Sequence, residues 1–203
     1  MIRKGSGRAK RWFDLALAIP GFFLLAPLFY LVALVIKLDS PGPVFFRQVR
    51  VGFGGKAFRL VKFRSMRVDA EKLGSQLTVG RDPRITRLGA ILRKTKIDEF
   101  PQLFNVLTGD MSLVGPRPEV PRYVSLYTTA QRRVLELLPG ITDPASLKYR
   151  DENDVLDHAA DPERCYLETI MPDKIEINLA YARQATVGSD WRVVKTTLAC
   201  LCR

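Results

Sequence analysis

The chain has 203 residues and a formal charge of +11, from 32 Lys and Arg against 21 Asp and Glu. The surplus lies in residues 1–67, where 13 basic residues meet only Asp14 and Asp39, while residues 68–203 carry 19 of each sign. This length supports one domain with its own core, and the uneven charge argues for an anchor on an anionic surface and against a uniformly basic nucleic-acid binder. The single histidine, His158, and the three cysteines, Cys165, Cys200 and Cys202, argue against a histidine triad and give no zinc-ligand spacing.

Leu15 to Ile36 is a run of 22 uncharged residues, about 33 Å as one helix, enough to span a bilayer. Basic residues flank it on both sides, Arg8, Lys10 and Arg11 before and Lys37, Arg47 and Arg50 after. Cytoplasmic loops carry the basic residues, so a segment flanked by them twice is expected to enter and return. Pro20 and Pro27 each remove a backbone donor, and Ala26-Pro27 near the middle is the expected vertex. A cleavable signal peptide is disfavoured, because the run is too long and lacks a small-x-small cleavage site. The reading is a basic arm and re-entrant helix over residues 1–37 and a catalytic domain over residues 38–203.

Val44–Val51 and Lys56–Ser65 read as two strands of a hairpin, turned by Gly52-Phe-Gly54-Gly55. Asp69–Leu77 reads as a short helix, and Ile85, Leu88, Ile91 and Leu92 as one helical stripe. Phe100, Leu103, Phe104 and Leu107 repeat at i, i+3, i+4, i+7, with Asp98 as the expected N-cap, Pro101 in the first turn and Gly109 as the stop. Thr128–Leu138 reads as helix and Asp143–Asp161 as loop. Glu163–Ala185 reads as helix interrupted at Pro172, and Ser189–Cys202 as an amphipathic helix with a Ser-Asp cap. The fold class is α+β: a membrane helix, then a small, mostly helical domain with a β-hairpin.

Asp98 and Glu99 follow Arg93, Lys94 and Lys96, and Arg117 stands between Pro116 and Pro118. Neighbouring cations and a helix N-terminus favour ionised carboxylates, and the same cations attract phosphate oxygens. A charged carboxylate brought close to phosphate is an arrangement for phosphoryl transfer. A membrane-surface scaffold is the competing class, but it has no use for two acids inside a polyanion-binding patch.

Pro41-Gly-Pro-Val-Phe-Phe-Arg-Gln, Lys62-Phe-Arg-Ser-Met66, Leu92-Arg-Lys-Thr-Lys-Ile-Asp98-Glu99-Phe-Pro-Gln-Leu103 and Gly109-Asp-Met-Ser-Leu-Val-Gly-Pro-Arg-Pro-Glu119 together resemble the monotopic polyprenyl-phosphate phosphoglycosyl transferases, in their short form. The resemblance implies a re-entrant membrane helix on the cytoplasmic face of a bacterial inner membrane. It also implies Asp98 and Glu99 as catalytic dyad and Mg²⁺ ligands, with Lys62, Arg93 and Arg117 on the substrate phosphates. The implied substrates are a UDP-sugar and polyprenyl phosphate, joined through an aspartyl-phosphosugar, with membrane lipid around the anchor and no nucleic acid. Where that family often has Ser before the vertex proline, this chain has Ala26. The sugar and the oligomeric state stay open.

Overall fold

A helix of 32 residues, α1 (Arg8–Asp39), opens the structure, a computed structural model that describes residues 7–70, 77–80 and 82–201. At 1.5 Å per residue it extends about 48 Å and is long and apolar enough to cross a membrane. The helix runs unbroken through Pro20 and Pro27. Each proline deletes one backbone bond yet leaves its neighbours helical, so any change of direction at Ala26-Pro27 is a bend within a helix and not a loop.

One face of α1 lies on the rest of the chain. Ala18, Phe29, Val32 and Ile36 are buried, and Phe22 and Phe29 meet Phe104 and Phe63 edge to face at 4.8 and 5.4 Å. The opposite face shows Trp12, Phe23, Leu24, Tyr30 and Leu38 to the surroundings, each more than 70% exposed. Both ends are fastened by charged groups. Near the start, Arg11 donates to the carbonyls of Val106 (2.5 Å) and Leu107 (2.8 Å), and Lys10 pairs with Asp190 at 2.8 Å. At the far end, the buried guanidinium of Arg64 donates to the carbonyls of Ser40 (2.7 Å) and Pro41 (2.5 Å), just past the last residue of α1.

The hairpin forms as its pattern predicts. β1 (Phe45–Val51) and β2 (Ala57–Phe63) pair antiparallel, and Gly54 and Gly55 take the positive φ values (66° and 76°) that the turn requires. Next comes α2 (Arg87–Lys94), capped by Thr86. It is shorter than the apolar stripe: Ile85 instead bridges to Met66, and Ile91 is 61% exposed. The expected Asp69–Leu77 helix lies largely on residues 71–76, outside the described residues.

A 3₁₀ turn (Ile97–Gln102) runs into α3 (Leu103–Thr108), which ends at Gly109 with φ 90°. Asp98 is not the N-cap. Lys96 holds that position at φ 58°, and Asp98 sits inside the first turn. Beyond it lie β3 (Ser112–Val114), α4 (Pro121–Ser125), a 3₁₀ turn (Gln131–Glu136) and β4 (Gly140–Thr142), which pairs parallel with β3. The sequence reading missed this two-stranded sheet, because strands of three residues carry no measurable alternation. Thr128–Leu138 holds only the 3₁₀ turn.

The expected loop after Asp143 contains α5 (Pro144–Lys148) and α6 (Glu152–Asp157). Asp143 caps α5 by accepting from Ser146 N, with Pro144 in the first turn, a start signal that the polar composition hid. α7 (Pro162–Cys165) passes through a π turn (Tyr166–Ile170) into α8 (Met171–Gln184), with Pro172, which lacks a backbone N–H, at the second position of α8, just after the π turn. α9 (Val187–Leu201) starts two residues early, because Thr186 caps it: its hydroxyl accepts from Ser189 N, and Ser189 Oγ accepts from Thr186 N. The largest core cluster, including Tyr123, Leu156, Tyr166, Ile170 and Ile175, joins α4, α6 and α8 behind the cleft described next.

Candidate active site

Three separate pieces of chain bring their charges to one cleft of about 920 Å³. The 3₁₀ turn after α2 supplies Asp98 and Glu99, β2 supplies Lys62, and the loop after β3 supplies Arg117. The turn is made by the left-handed Lys96, which lets Glu99 N return to Lys96 O at 3.1 Å. The Arg117 loop is held by backbone on both flanks. Gly115 N donates to Thr142 O and Gly140 N to Pro116 O, both at 3.0 Å. The two strands meet here so closely that a Cβ on Gly140 would lie 2.1 Å from Gly115 N.

Glu99 is gripped by two cations. Arg117 donates Nη1 to Oε2 at 2.9 Å and Nη2 to Oε1, and Lys62 Nζ donates to Oε1 at 3.1 Å. Burial pushes the Glu99 carboxyl up, but the charges and hydrogen bonds of Arg117 and Lys62 outweigh it and hold it well below the usual carboxylate range. Burial lowers the Lys62 ammonium to about 8 despite Glu99. Arg117, with 36% of its side chain exposed, is held charged by Glu99.

Asp98 behaves differently. It is 5% exposed, and its Oδ1 is buried with no hydrogen-bond partner. Burial pushes its carboxyl up, Lys62 draws it back, Glu99 raises it further, and Arg93 and Arg117 lower it. The expectation that both acids are kept ionised by their cations therefore describes Glu99, whereas burial dominates at Asp98. Arg93, half-buried in the last turn of α2, lines the cleft and acts on Asp98 through its charge.

All five predicted site residues line this cleft. A second group was missed. Arg50 donates to Pro118 O (2.9 Å), Glu119 Oε1 (3.4 Å) and Gln48 Oε1 (2.6 Å), and Tyr166 donates to the other oxygen of Glu119. Sequence reading counted Arg50 only as a flanking charge. The signal available was Glu119 directly after the Pro-Arg-Pro run.

Among the described residues no three His, Cys, Asp or Glu side chains cluster as a metal cage. The free Oδ1 of Asp98 is one hard oxygen donor, and both Glu99 oxygens are engaged by cations. That set fits Mg²⁺ held by one or two carboxylates and completed by substrate phosphate and water, and it does not fit an all-protein site.

The description "bacterial sugar transferase" belongs to the family model that matches residues 5–203. The chain belongs to the bacterial sugar transferase family. A Bacillus subtilis (strain 168) protein provisionally named an undecaprenyl-phosphate N-acetylgalactosaminyl 1-phosphate transferase is 49% identical over 133 residues, 66% of this chain and 70% of its own length. The UDP-glucose:undecaprenyl-phosphate glucose-1-phosphate transferase of Escherichia coli (strain K12) is 39% identical across 93% of this chain and 39% of its own. The UDP-N-acetylgalactosamine-undecaprenyl-phosphate N-acetylgalactosaminephosphotransferase of Aeromonas hydrophila is 50% identical over 58% of this chain and 28% of its own. The chain thus spans well under half the length of the last two.

Proposed function

We propose that this bacterial sugar transferase moves a sugar 1-phosphate from a UDP-sugar to a polyprenyl phosphate in the membrane, through a covalent bond to Asp98. The observation that carries the reading is the unpartnered Oδ1 of Asp98 beside the Glu99–Arg117–Lys62 cluster in one cleft. The names of the relatives supply the substrate class.

In this mechanism an Asp98 oxygen attacks the β-phosphorus. The bond from that phosphorus to the α,β-bridging oxygen breaks, and UMP departs with the electron pair. A lipid phosphate oxygen then attacks the same phosphorus, the bond to Asp98 breaks, and its carboxylate is restored. Arg117, Lys62 and Arg93 hold the non-reacting phosphate oxygens, where preorganised cations stabilise charge as it develops. Glu99 orients Arg117 and Lys62 and keeps them from collapsing onto Asp98. Asp98 and Glu99 would hold Mg²⁺, which would supply further charge neutralisation.

The anchor places this chemistry at the headgroups. Both ends of α1 are tied by charged side chains to the same domain, Lys10 and Arg11 at one end and Arg64 at the other. A spanning helix would carry these ends to opposite sides of a core about 30 Å thick. The reading is therefore that α1 enters and leaves on one face, the cytoplasmic face by its flanking charge. Release of UMP from a panel of UDP-sugars, with Mg²⁺ and polyprenyl phosphate, tests the activity and identifies the sugar. No release with any of them would refute it.

A further inference from the structure

Asp14 lies on α1, yet it is completely buried and the transfer chemistry does not use it. Its Oδ1 accepts from Ser112 Oγ at 3.0 Å and from Leu113 N at 3.1 Å, while Oδ2 is buried without a hydrogen-bond partner. β3 gives its other edge to β4 through Ser112 N to Pro139 O (2.8 Å) and Gly115 N to Thr142 O (3.0 Å). Leu113 N–H therefore faces away from the sheet, and a carboxylate from α1 is what satisfies it. An N–H left without an acceptor away from water is costly, so the strand is held where Asp14 can reach.

We infer that Asp14 is a positioning residue for Arg117, through which the seating of the membrane helix sets the geometry of the phosphate-binding loop. Only Val114, Gly115 and Pro116 separate Leu113 from Arg117, and the prolines on both sides of Arg117 remove two of the free backbone torsions. Beyond Arg117 the loop is fixed again by Arg50 on Pro118 O and by Val51 N on Glu119 O (2.9 Å). With that flank fixed, a shift of β3 has to be absorbed at Gly115–Arg117, which is where the guanidinium aims at Glu99. Lys10, one turn before Asp14 and bonded to Asp190, adds an opposite charge beside the carboxylate and ties the same junction to α9.

The kinetic part of this inference rests on the proposed phosphate role of Arg117, and the structural part does not, so the test has two arms in full-length protein in lipid nanodiscs. In hydrogen exchange, Asp14→Ala should speed exchange in the peptide covering 112–117 by about tenfold or more and leave the hairpin 45–63 unchanged. Asp14→Asn keeps an acceptor oxygen for Leu113 N–H and should restore protection. Unchanged exchange at 112–117, or equal acceleration in the hairpin, overturns the pinning whatever the reaction. In the second arm, Asp14→Ala should slow UMP release by about tenfold in the native background and by less than about twofold in an Arg117→Ala background, because both changes remove one contribution. Equal losses in the two backgrounds overturn the route through Arg117. Lost protection in a chain whose unaltered form releases no UMP counts against the proposed function and leaves the pinning standing. If Asp14→Ala is not recovered folded, Ser112→Ala, which removes one of the two contacts, is scored by the same criteria.

Discussion

Arg117 holds Glu99 with both terminal nitrogens of its guanidinium, one on each carboxylate oxygen. That bidentate grip separates two acids adjacent in sequence. Glu99 is ionised and engaged, while Asp98 keeps a buried oxygen with no partner. A nucleophile needs a free lone pair, so the proposed mechanism gives Asp98 the attack and Glu99 the task of holding the cations in place.

Glu99→Gln should therefore do more than remove one charge. The amide leaves Arg117 and Lys62 without their counter-ion in a cleft where Lys62 is already poorly solvated. UMP release should fall by about a hundredfold or more, in line with the loss of preorganised charge stabilisation. Steady-state assays of the purified variant, alongside its melting temperature, check this; near-native turnover would count against the orienting role.

Lys62 gives a pH dependence with a definite sign. In the proposed mechanism its ammonium binds phosphate, and burial has lowered its pKa to about 8 from 10.5. The charged form is present below that value and lost as pH rises through it, so kcat/KM for the UDP-sugar should decline above about 8. Lys62→Arg keeps its charge throughout this range, and its profile should stay flat there. A decline unchanged by that substitution would assign the ionisation to another group.

Arg64 illustrates what the sequence concealed. It sits two residues from Lys62 in a motif that carries the family resemblance, yet the structure turns it away to clamp the end of α1 at Ser40 and Pro41. Arg64→Met should lower stability by about 1–3 kcal/mol, since hydrogen bonds from a charged donor to Ser40 and Pro41 are lost. Thermal unfolding in detergent measures this. An unchanged melting temperature would show that the clamp contributes nothing.

The topology has its own test. Cysteines introduced at Gly7 and Lys56, with the native cysteines removed, should resist a membrane-impermeant thiol reagent applied to intact cells and react after lysis. Labelling of either position in intact cells would place it outside and contradict entry and return on one face.

The legible parts of this chain were those with long periodic or charge-marked signals. The apolar helix, the glycine-turned hairpin, Gly109 as a stop and the five cleft residues could all be read from residue order. The three-residue strands β3 and β4 could not, because their pairing is decided by close glycine contact between distant segments. α5 and α6 were hidden by polar composition, although Asp143-Pro144 marked the start of the first. The difference between Asp98 and Glu99 was also out of reach. It depends on which carboxylate Arg117 meets across 18 residues of chain, and on burial that no local pattern encodes.

The central claim is that Asp98 becomes covalently bonded to phosphorus. The most direct measurement is mass spectrometry of the intact protein after incubation with UDP-sugar and Mg²⁺ in the absence of polyprenyl phosphate, with peptide mapping of any adduct. The account predicts a mass gain of one phosphosugar, mapped to Asp98, discharged by added polyprenyl phosphate and absent from Asp98→Asn. An adduct on another residue, or normal turnover by Asp98→Asn, would contradict it.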